Sequence, residues 1–259
     1  MQLKDNNDNF LYKMQEVWLE NHGEKIYGQL YMPKTDLSGK CPLVIYSHEL
    51  ACNHTYGIPY AKRFADLGFA TLVFDFRGGG PFVKSEGKTS DMSVITQCDD
   101  LLSVTRQVME WPFVDRNRIF LMGASQGGMV AALAAAKEPE LYAKLLLNYP
   151  GFQIPDWIHD AFPSKPINDF SFDYQGWITL GAAYIKDFWD YDIWGQIGNY
   201  KKPVLIIHGE KDQMVPIAYS RRAAKVYPDC TFYPMKDMGH IFTGKNVDIV
   251  FGKIKGFVL

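Results

Sequence analysis

The pentapeptide Gly123-Ala124-Ser125-Gln126-Gly127 carries more chemistry than any other stretch of this chain. It follows the apolar run Arg118-Ile119-Phe120-Leu121-Met122 and leads into an Ala-rich, helix-forming stretch over 127–137. A strand that turns into a helix at Gly-x-Ser-x-Gly lifts the serine hydroxyl clear of the backbone, and only small flanking residues allow so sharp a turn. The helix N-terminus that follows directs backbone N–H groups at the same spot. Without further partners, the same serine could simply cap the helix.

A serine hydroxyl is a poor nucleophile at neutral pH; it needs a base, and the base needs an acid to orient it. Behind such an elbow the acid and then the histidine follow on loops after later strands. Val204-Leu205-Ile206-Ile207-His208-Gly209 is followed by Glu210-Lys211-Asp212, and Thr231-Phe232-Tyr233 by Asp237-Met238-Gly239-His240. Asp212 is the expected acid, with Glu210 and Asp237 as the alternatives, and His240 is the expected base. Among the 6 histidines, His240 alone follows both the serine and the acid. His22 falls in a turn and His159 in an insertion. His54 lies in a loop with no acid following at a matching place, and His48 and His208 end strands as structural residues. The tetrahedral oxyanion requires two preorganised donors, each typically contributing ~3–4 kcal/mol. These are expected from the backbone N–H of Gln126 and of Leu50, the latter in the loop after the strand at 43–47.

Short apolar runs alternate with helical patterns, which predicts an α/β protein with a largely parallel sheet covered on both faces. Strands are expected at 26–32, 43–47, 70–76, 119–123, 145–149, 204–209 and 231–233. An edge hairpin should pair 17–20 with the first across Asn21-His22-Gly23. Helices are expected at 60–67, 92–109, 127–137, 217–226 and 247–257, the second capped by Ser90 or Asp91. Between Pro150 and Lys202 the rhythm breaks: some fifty residues rich in Trp, Tyr and Phe offer no strand of the core sheet. Leaving from the carboxyl end of a strand, where open α/β sheets bind ligands, this insertion reads as a lid over 151–202. The core would then comprise 1–150 and 203–259.

With 259 residues, of which 47% are apolar and 15% aromatic, the chain can bury a large core. A net charge of −2 and scattered basic residues exclude an electrostatic footprint for nucleic acid or an anionic membrane. No apolar run approaches the ~20 residues of a membrane span, and the polar start Met1-Gln2-Leu3-Lys4-Asp5 lacks the apolar core of a secretion signal. A cytoplasmic location is the expectation. Cys41, Cys52, Cys98 and Cys230 show no metal or disulfide spacing and read as reduced packing residues. No cofactor is implied: there is no metal-ligand spacing, dinucleotide fingerprint or phosphate loop.

Taken together, the chain resembles the α/β-hydrolase superfamily over nearly its whole length. The resemblance rests on His48 at a strand end, Asp75-Phe76-Arg77-Gly78-Gly79-Gly80 after the next strand, the elbow, His208-Gly209-Glu210-Lys211-Asp212, and Gly239-His240. Within the superfamily it is most similar to bacterial cinnamoyl (feruloyl) esterases. That resemblance implies a serine esterase with a lid whose aspartate and tyrosine contact a phenolic hydroxyl; by position these are Asp156 and Tyr184. It implies a small-molecule ester as the partner, and an aromatic-rich lid can also serve as a homodimer contact. A thioesterase, an acylglycerol lipase, a serine peptidase or a non-catalytic binding protein on the same fold are the alternatives. One departure matters: where the family has His-Gly, this chain has His48-Glu49, beside the oxyanion loop and thus in the substrate site. Glu49 is expected to face away from the oxyanion, into solvent or paired with Arg77 or Lys84. The Asp75–Gly80 stretch reads as structural, its arginine tying loops together.

Overall fold

The structure is a computed structural model, described here for residues 12–34 and 39–259. The polar N-terminal start, on which the expected lack of a secretion signal rests, lies outside the described residues. Eight strands form one sheet in the order β1-β2-β4-β3-β5-β6-β9-β10: β1 (Tyr12–Asn21), β2 (Glu24–Pro33), β3 (Cys41–Ser47), β4 (Ala70–Phe74), β5 (Val114–Ala124), β6 (Lys144–Asn148), β9 (Val204–Gly209) and β10 (Cys230–Met235). The β1–β2 and β2–β4 pairings are antiparallel and all others parallel.

The central strands are apolar throughout because both faces are covered. Along β3, Leu43 and Ile45 enter one core and Val44 and Tyr46 the other; β5 and β9 alternate in the same way. Helices α2 (Val94–Val108), α3 (Gln126–Lys137) and α7 (Ile217–Val226) close the first core. The second is closed by α1 (Ile58–Ala65) and α8 (Lys245–Val258). This is the α/β-hydrolase arrangement, and it brings the loops at the carboxyl ends of β3, β5, β6, β9 and β10 to one edge.

Some elements differ from the sequence reading. The edge hairpin is longer, running the full register from Tyr12↔Pro33 to Asn21↔Glu24. Strand β5 starts at Val114, before a polar stretch whose exposed side chains hide its strand character. Strand β4 stops at Phe74, so Asp75 and Phe76 belong to the following loop. Helix α2 is capped by Ser93 rather than Ser90 or Asp91: the Ser93 hydroxyl accepts from the Thr96 N–H while the Thr96 hydroxyl accepts from the Ser93 N–H. A capping box needs its partner at the third helical position, and Thr96 supplies it.

Residues 151–202 hold α4 (Ile154–Ala161), a separate hairpin of β7 (Ser171–Tyr174) and β8 (Ile178–Gly181), and two short helices, α5 (Ala183–Lys186) and α6 (Ile193–Ile197). They are anchored: Phe152, Ile158, Leu180, Tyr184, Ile185 and Phe188 are buried and continuous with the first core. Ser93 at the start of α2 donates to Asp187 at 2.7 Å, a polar tie between this segment and the body. All four cysteines are free thiols; Cys41 and Cys98 are buried, Cys52 and Cys230 half-buried. Among the described residues no helix is long and apolar enough to cross a membrane.

Candidate active site

Ser125 lies between β5 and α3 with φ 51° and ψ −123°, a left-handed conformation that L residues avoid. The two glycines make the turn sterically possible. A Cβ on Gly123 would strike the backbone of Gly127, and one on Gly127 would strike the carbonyl oxygens of Ser47 and His48 at the end of β3. The strain is held by backbone bonds: Ser125 N–H donates to Asn148 C=O at 3.0 Å, and Ser125 C=O accepts from Gly151 at 2.7 Å and Gly128 at 3.0 Å. Ser125 makes no side-chain cap to α3. Its hydroxyl is turned instead toward His240, with Oγ 2.9 Å from Nε2.

His240 sits on a loop fastened by the buried side chains of Met238 and Phe242, and its ring lies 4.7 Å from that of Tyr149. Its Nδ1 is 2.7 Å from Asp212 Oδ2. A carboxylate only accepts, so Nδ1 carries the proton and Nε2 is free to accept from the Ser125 hydroxyl. Asp212 is fixed from both sides. Oδ1 accepts from the N–H groups of Met214 and Val215, both at 2.9 Å, and Oδ2 also lies 3.0 Å from His208 Nε2. Burial raises the Asp212 pKa, but the hydrogen bonds from His208, His240 and Val215 outweigh it and hold the carboxyl well below the usual carboxylate range. The alternative acids are elsewhere: Glu210 pairs with Arg221 and Asp237 with Lys211, all at the surface.

Ser125, His240, Leu50 and Gln126 line one cavity of about 910 Å³. Among the described residues no protein acceptor takes up the backbone N–H of Leu50 or Gln126. The loop that carries Leu50 is shaped by the Glu49 carbonyl, which accepts from His48 Nδ1 at 2.8 Å and from Cys52 N–H at 3.2 Å. The positive φ falls on Ala51, at 59°, so the turn does not require glycine at position 49.

His48 is itself fully buried behind this loop, where its Nε2 accepts from the Phe76 N–H at 3.2 Å. Burial lowers its pKa and keeps it neutral, and it braces the loop rather than lining the cavity. His54, set aside as the base because no acid follows at a matching place, is paired outside the triad: Asp75 Oδ1 accepts from its N–H at 2.7 Å and from Nδ1 at 2.8 Å, while Oδ2 accepts from Lys84 N–H. This buried pair ties the loop after β3 to the loop after β4. Arg77 ties the loop after β4 to helix α2 and strand β2, donating to Asp100 and Glu24.

Glu49 requires correction. It points neither to solvent nor to Arg77 or Lys84. Glu49 lines the cavity and its carboxylate is buried, with Oε1 accepting from Tyr149 at 3.0 Å and Oε2 from Tyr46 at 3.4 Å, two tyrosines that line an adjoining pocket. Burial pushes its pKa up to about 7 against the hydrogen bond from its own backbone, the Tyr149 hydroxyl and the nearby His240. Arg77 and Lys84 are too far along the neighbouring loop and are engaged by other acids.

The two expected residues of the insertion part ways. Tyr184 reaches the cavity, but its hydroxyl donates to Gln126 Oε1 at 2.6 Å, and Gln126 Nε2 passes the chain on to Gln97 at 2.8 Å. Asp156 does not line the cavity; helix α4 turns it outward, where it accepts from Tyr219 at 2.5 Å. The neighbours Gln153, Ile154 and Trp157 face the cavity instead. Sequence reasoning missed them, although their spacing on one face of α4 was a usable signal. Among the described residues no three His, Cys, Asp or Glu side chains are placed to share a metal ion.

Comparison with known proteins agrees with this fold. A solved structure of Est1E from Butyrivibrio proteoclasticus with ferulic acid bound superposes with a TM-score of 0.84 at 26% identity, covering 93% of this chain and 97% of that one. The acetyl xylan esterase of Paenibacillus sp. R4 shares the fold, with a TM-score of 0.75 at 19% identity over 99% of this chain and 86% of that one. Protein bem46 of Schizosaccharomyces pombe is 29% identical over 177 residues, which are 68% of this chain and 52% of bem46. The chain spans about half, or less, of the length of such curated relatives. The sequence model of the prolyl oligopeptidase family matches residues 59–228, from α1 through the elbow and Asp212 to the end of α7. With most of the chain inside that match, and with its fold and strand-end loops arranged as described, the protein belongs to the prolyl oligopeptidase family.

Proposed function

We propose that this protein is a serine hydrolase of carboxylic esters that works through an acyl-enzyme on Ser125. The observation that carries the proposal is the line of hydrogen bonds from Ser125 Oγ through His240 to Asp212, lying at a cavity wall. Ser125 attacks the ester carbonyl while His240 Nε2 takes its proton, and the Asp212 carboxylate stabilises the imidazolium that forms. The oxyanion is received by the N–H groups of Leu50 and Gln126. Collapse of the intermediate expels the alcohol, which takes its proton from His240. Water, deprotonated by the same histidine, then releases the acid and restores Ser125.

The substrate we favour is an ester of a compact aromatic acid of the hydroxycinnamate type. Tyr56, Phe82, Trp157, Tyr174, Trp177 and Tyr184 contribute to the cavity wall, and such a surface suits a flat, apolar group. The resemblance in fold to Est1E, whose structure holds ferulic acid, supports the same choice. Residues 151–202, which supply four of these aromatics, act as the lid, and the remaining described residues form the core. A second reading, amide cleavage by a small serine peptidase, is favoured by the family match itself.

Steady-state kinetics on methyl ferulate, p-nitrophenyl acetate, butyrate and octanoate, and an aminoacyl-arylamide separate these readings. The proposal expects the highest kcat/KM on the ferulate. Higher kcat/KM on the arylamide would replace it with the peptidase reading. Preference for the aliphatic esters would retain the esterase and discard the aromatic acid.

A further inference from the structure

We infer that Glu49 sets the charge preference of the cavity, favouring esters that carry a cation on an apolar body and disfavouring anionic ones. The inference rests on the esterase reading and names the substrate class within it.

Glu49 lines the wall, and among the described residues no lysine or arginine pairs with its carboxylate. Both of its oxygens are bonded to neutral tyrosine hydroxyls. Among the described residues lining the cavity there is no lysine and no arginine. An adjoining pocket of about 440 Å³ shares Glu49, Tyr56 and Ile241 with it and does contain Arg63. That guanidinium is committed to Asp248 and to the Pro59 carbonyl. A buried carboxyl without a counter-charge is costly to ionise, and a cation brought by the ligand removes that cost.

The surrounding surface points to the same class of ligand. Tyr56, Phe82 and Trp177 are exposed at the cavity and Trp157 is half-buried in its wall. Aromatic faces attract organic cations, most strongly where water is excluded. An anionic group would meet Glu49 with no positive side chain to compensate.

The preference should depend on pH. The titratable groups facing Glu49 are Tyr46 from β3, Cys52 and Tyr56 from the following loop, Tyr60 from α1, Tyr149 after β6, and His240. Of these, His240 alone can become positive. Because burial raises the Glu49 pKa to about 7, the carboxyl charges as pH rises through neutrality, and the pull on a cation grows with it.

The test is calorimetric binding to the Ser125→Ala variant. The probes are butyrylcholine against its uncharged isostere, in which carbon replaces nitrogen, and the phenyl ester of trimethylammonio-butyrate against its own carbon isostere. The two pairs place the cation at the alcohol and at the acyl end. At about pH 8.5 the cationic member of at least one pair should bind ~10-fold tighter, and adding Glu49→Gln should reduce the ratio to ~2-fold or less. Equal binding within both pairs, or a preference that survives Glu49→Gln, would overturn the inference.

Lowering the pH to about 5.5 should shrink the preference with Glu49 present. The difference between the pH curves of the two variants reads Glu49. Should Glu49→Gln not fold, a pH-independent preference in Ser125→Ala would overturn the inference by itself. Turnover of the same esters by the intact protein tests the esterase reading separately. A binding preference without turnover would sink hydrolysis and leave the recognition standing; turnover without a preference would do the reverse.

Discussion

His208 Nε2 lies 3.0 Å from Asp212 Oδ2, the oxygen that receives the His240 Nδ1–H at 2.7 Å. His208 is fully buried, with Nδ1 2.7 Å from the Ser220 hydroxyl, so Asp212 is gripped from behind as well as in front. A carboxylate held by four donors cannot swing away from the imidazole it orients. Asp212→Asn removes the acceptor pair and should lower kcat by roughly 10⁴-fold while changing KM little. A loss below ~10-fold would show that Asp212 does not orient the base. Its low pKa also has a stability consequence. The folded value lies below the unfolded ~3.9, so the contribution is complete above that pH and is lost as pH falls toward the folded value. Acid denaturation profiles of the parent and Asp212→Asn should therefore converge at the acid end.

Glu49 works in the opposite direction. Its folded pKa of about 7 exceeds the unfolded value of ~4.3, so the folded state binds the extra proton between those limits. Stability from this group is present at acid pH and is lost as pH rises to about 7, for a total on the order of 3 kcal/mol. Glu49→Gln should thus be close to neutral at about pH 5 and stabilising by ~2–3 kcal/mol at about pH 8.5 in denaturant titrations. A stabilisation that does not change with pH would mean that Glu49 stays ionised in the fold.

The elbow tolerates no side chain at its second glycine. Gly127→Ala drives a Cβ into the carbonyl oxygens of Ser47 and His48, which belong to backbone and cannot rotate away. We expect a loss of about 3 kcal/mol or more, or failure to fold. An exposed glycine such as Gly252 on α8, where nothing lies near the added Cβ, should gain slightly from alanine. Comparable melting temperatures for the two variants would contradict the packing described around the elbow.

Tyr184→Phe frees the Gln126 carbonyl that its hydroxyl now bonds. The damage is to the residue following the nucleophile and so should lower kcat for phenolic and simple esters alike, by ~5–30-fold. Asp156→Asn, paired outside the cavity with Tyr219, should leave both classes of ester within ~2-fold. A selective rise in KM for phenolic esters in either variant would restore direct recognition of a phenol by that residue.

The part of this site that the sequence made legible is the part that rests on local rules. Gly123, Ser125 and Gly127 sit between an apolar strand and an Ala-rich helix, and a turn that tight permits few residue types. Asp212 and His240 could be chosen because a parallel sheet puts successive strand-end loops at one edge. What stayed hidden was side-chain direction. Glu49 turns inward because of Tyr149, 100 residues away in the chain, and Asp156 turns outward because of Tyr219, 63 residues away. Buried pairs such as His54 with Asp75 raise the same difficulty: each residue looks like an ordinary loop residue until the fold joins them. The first half of strand β5 is invisible to an apolar pattern because it exposes Arg116 and Asn117.

The central claim is that Ser125 is the nucleophile. The most direct measurement is mass spectrometry after treatment with a fluorophosphonate, with residual turnover of the preferred ester followed in the same sample. A single adduct is expected on the peptide containing Ser125, with activity falling in proportion to labelling and no adduct in Ser125→Ala. An unlabelled Ser125 in a protein that still hydrolyses the ester, or turnover retained by Ser125→Ala, would contradict it.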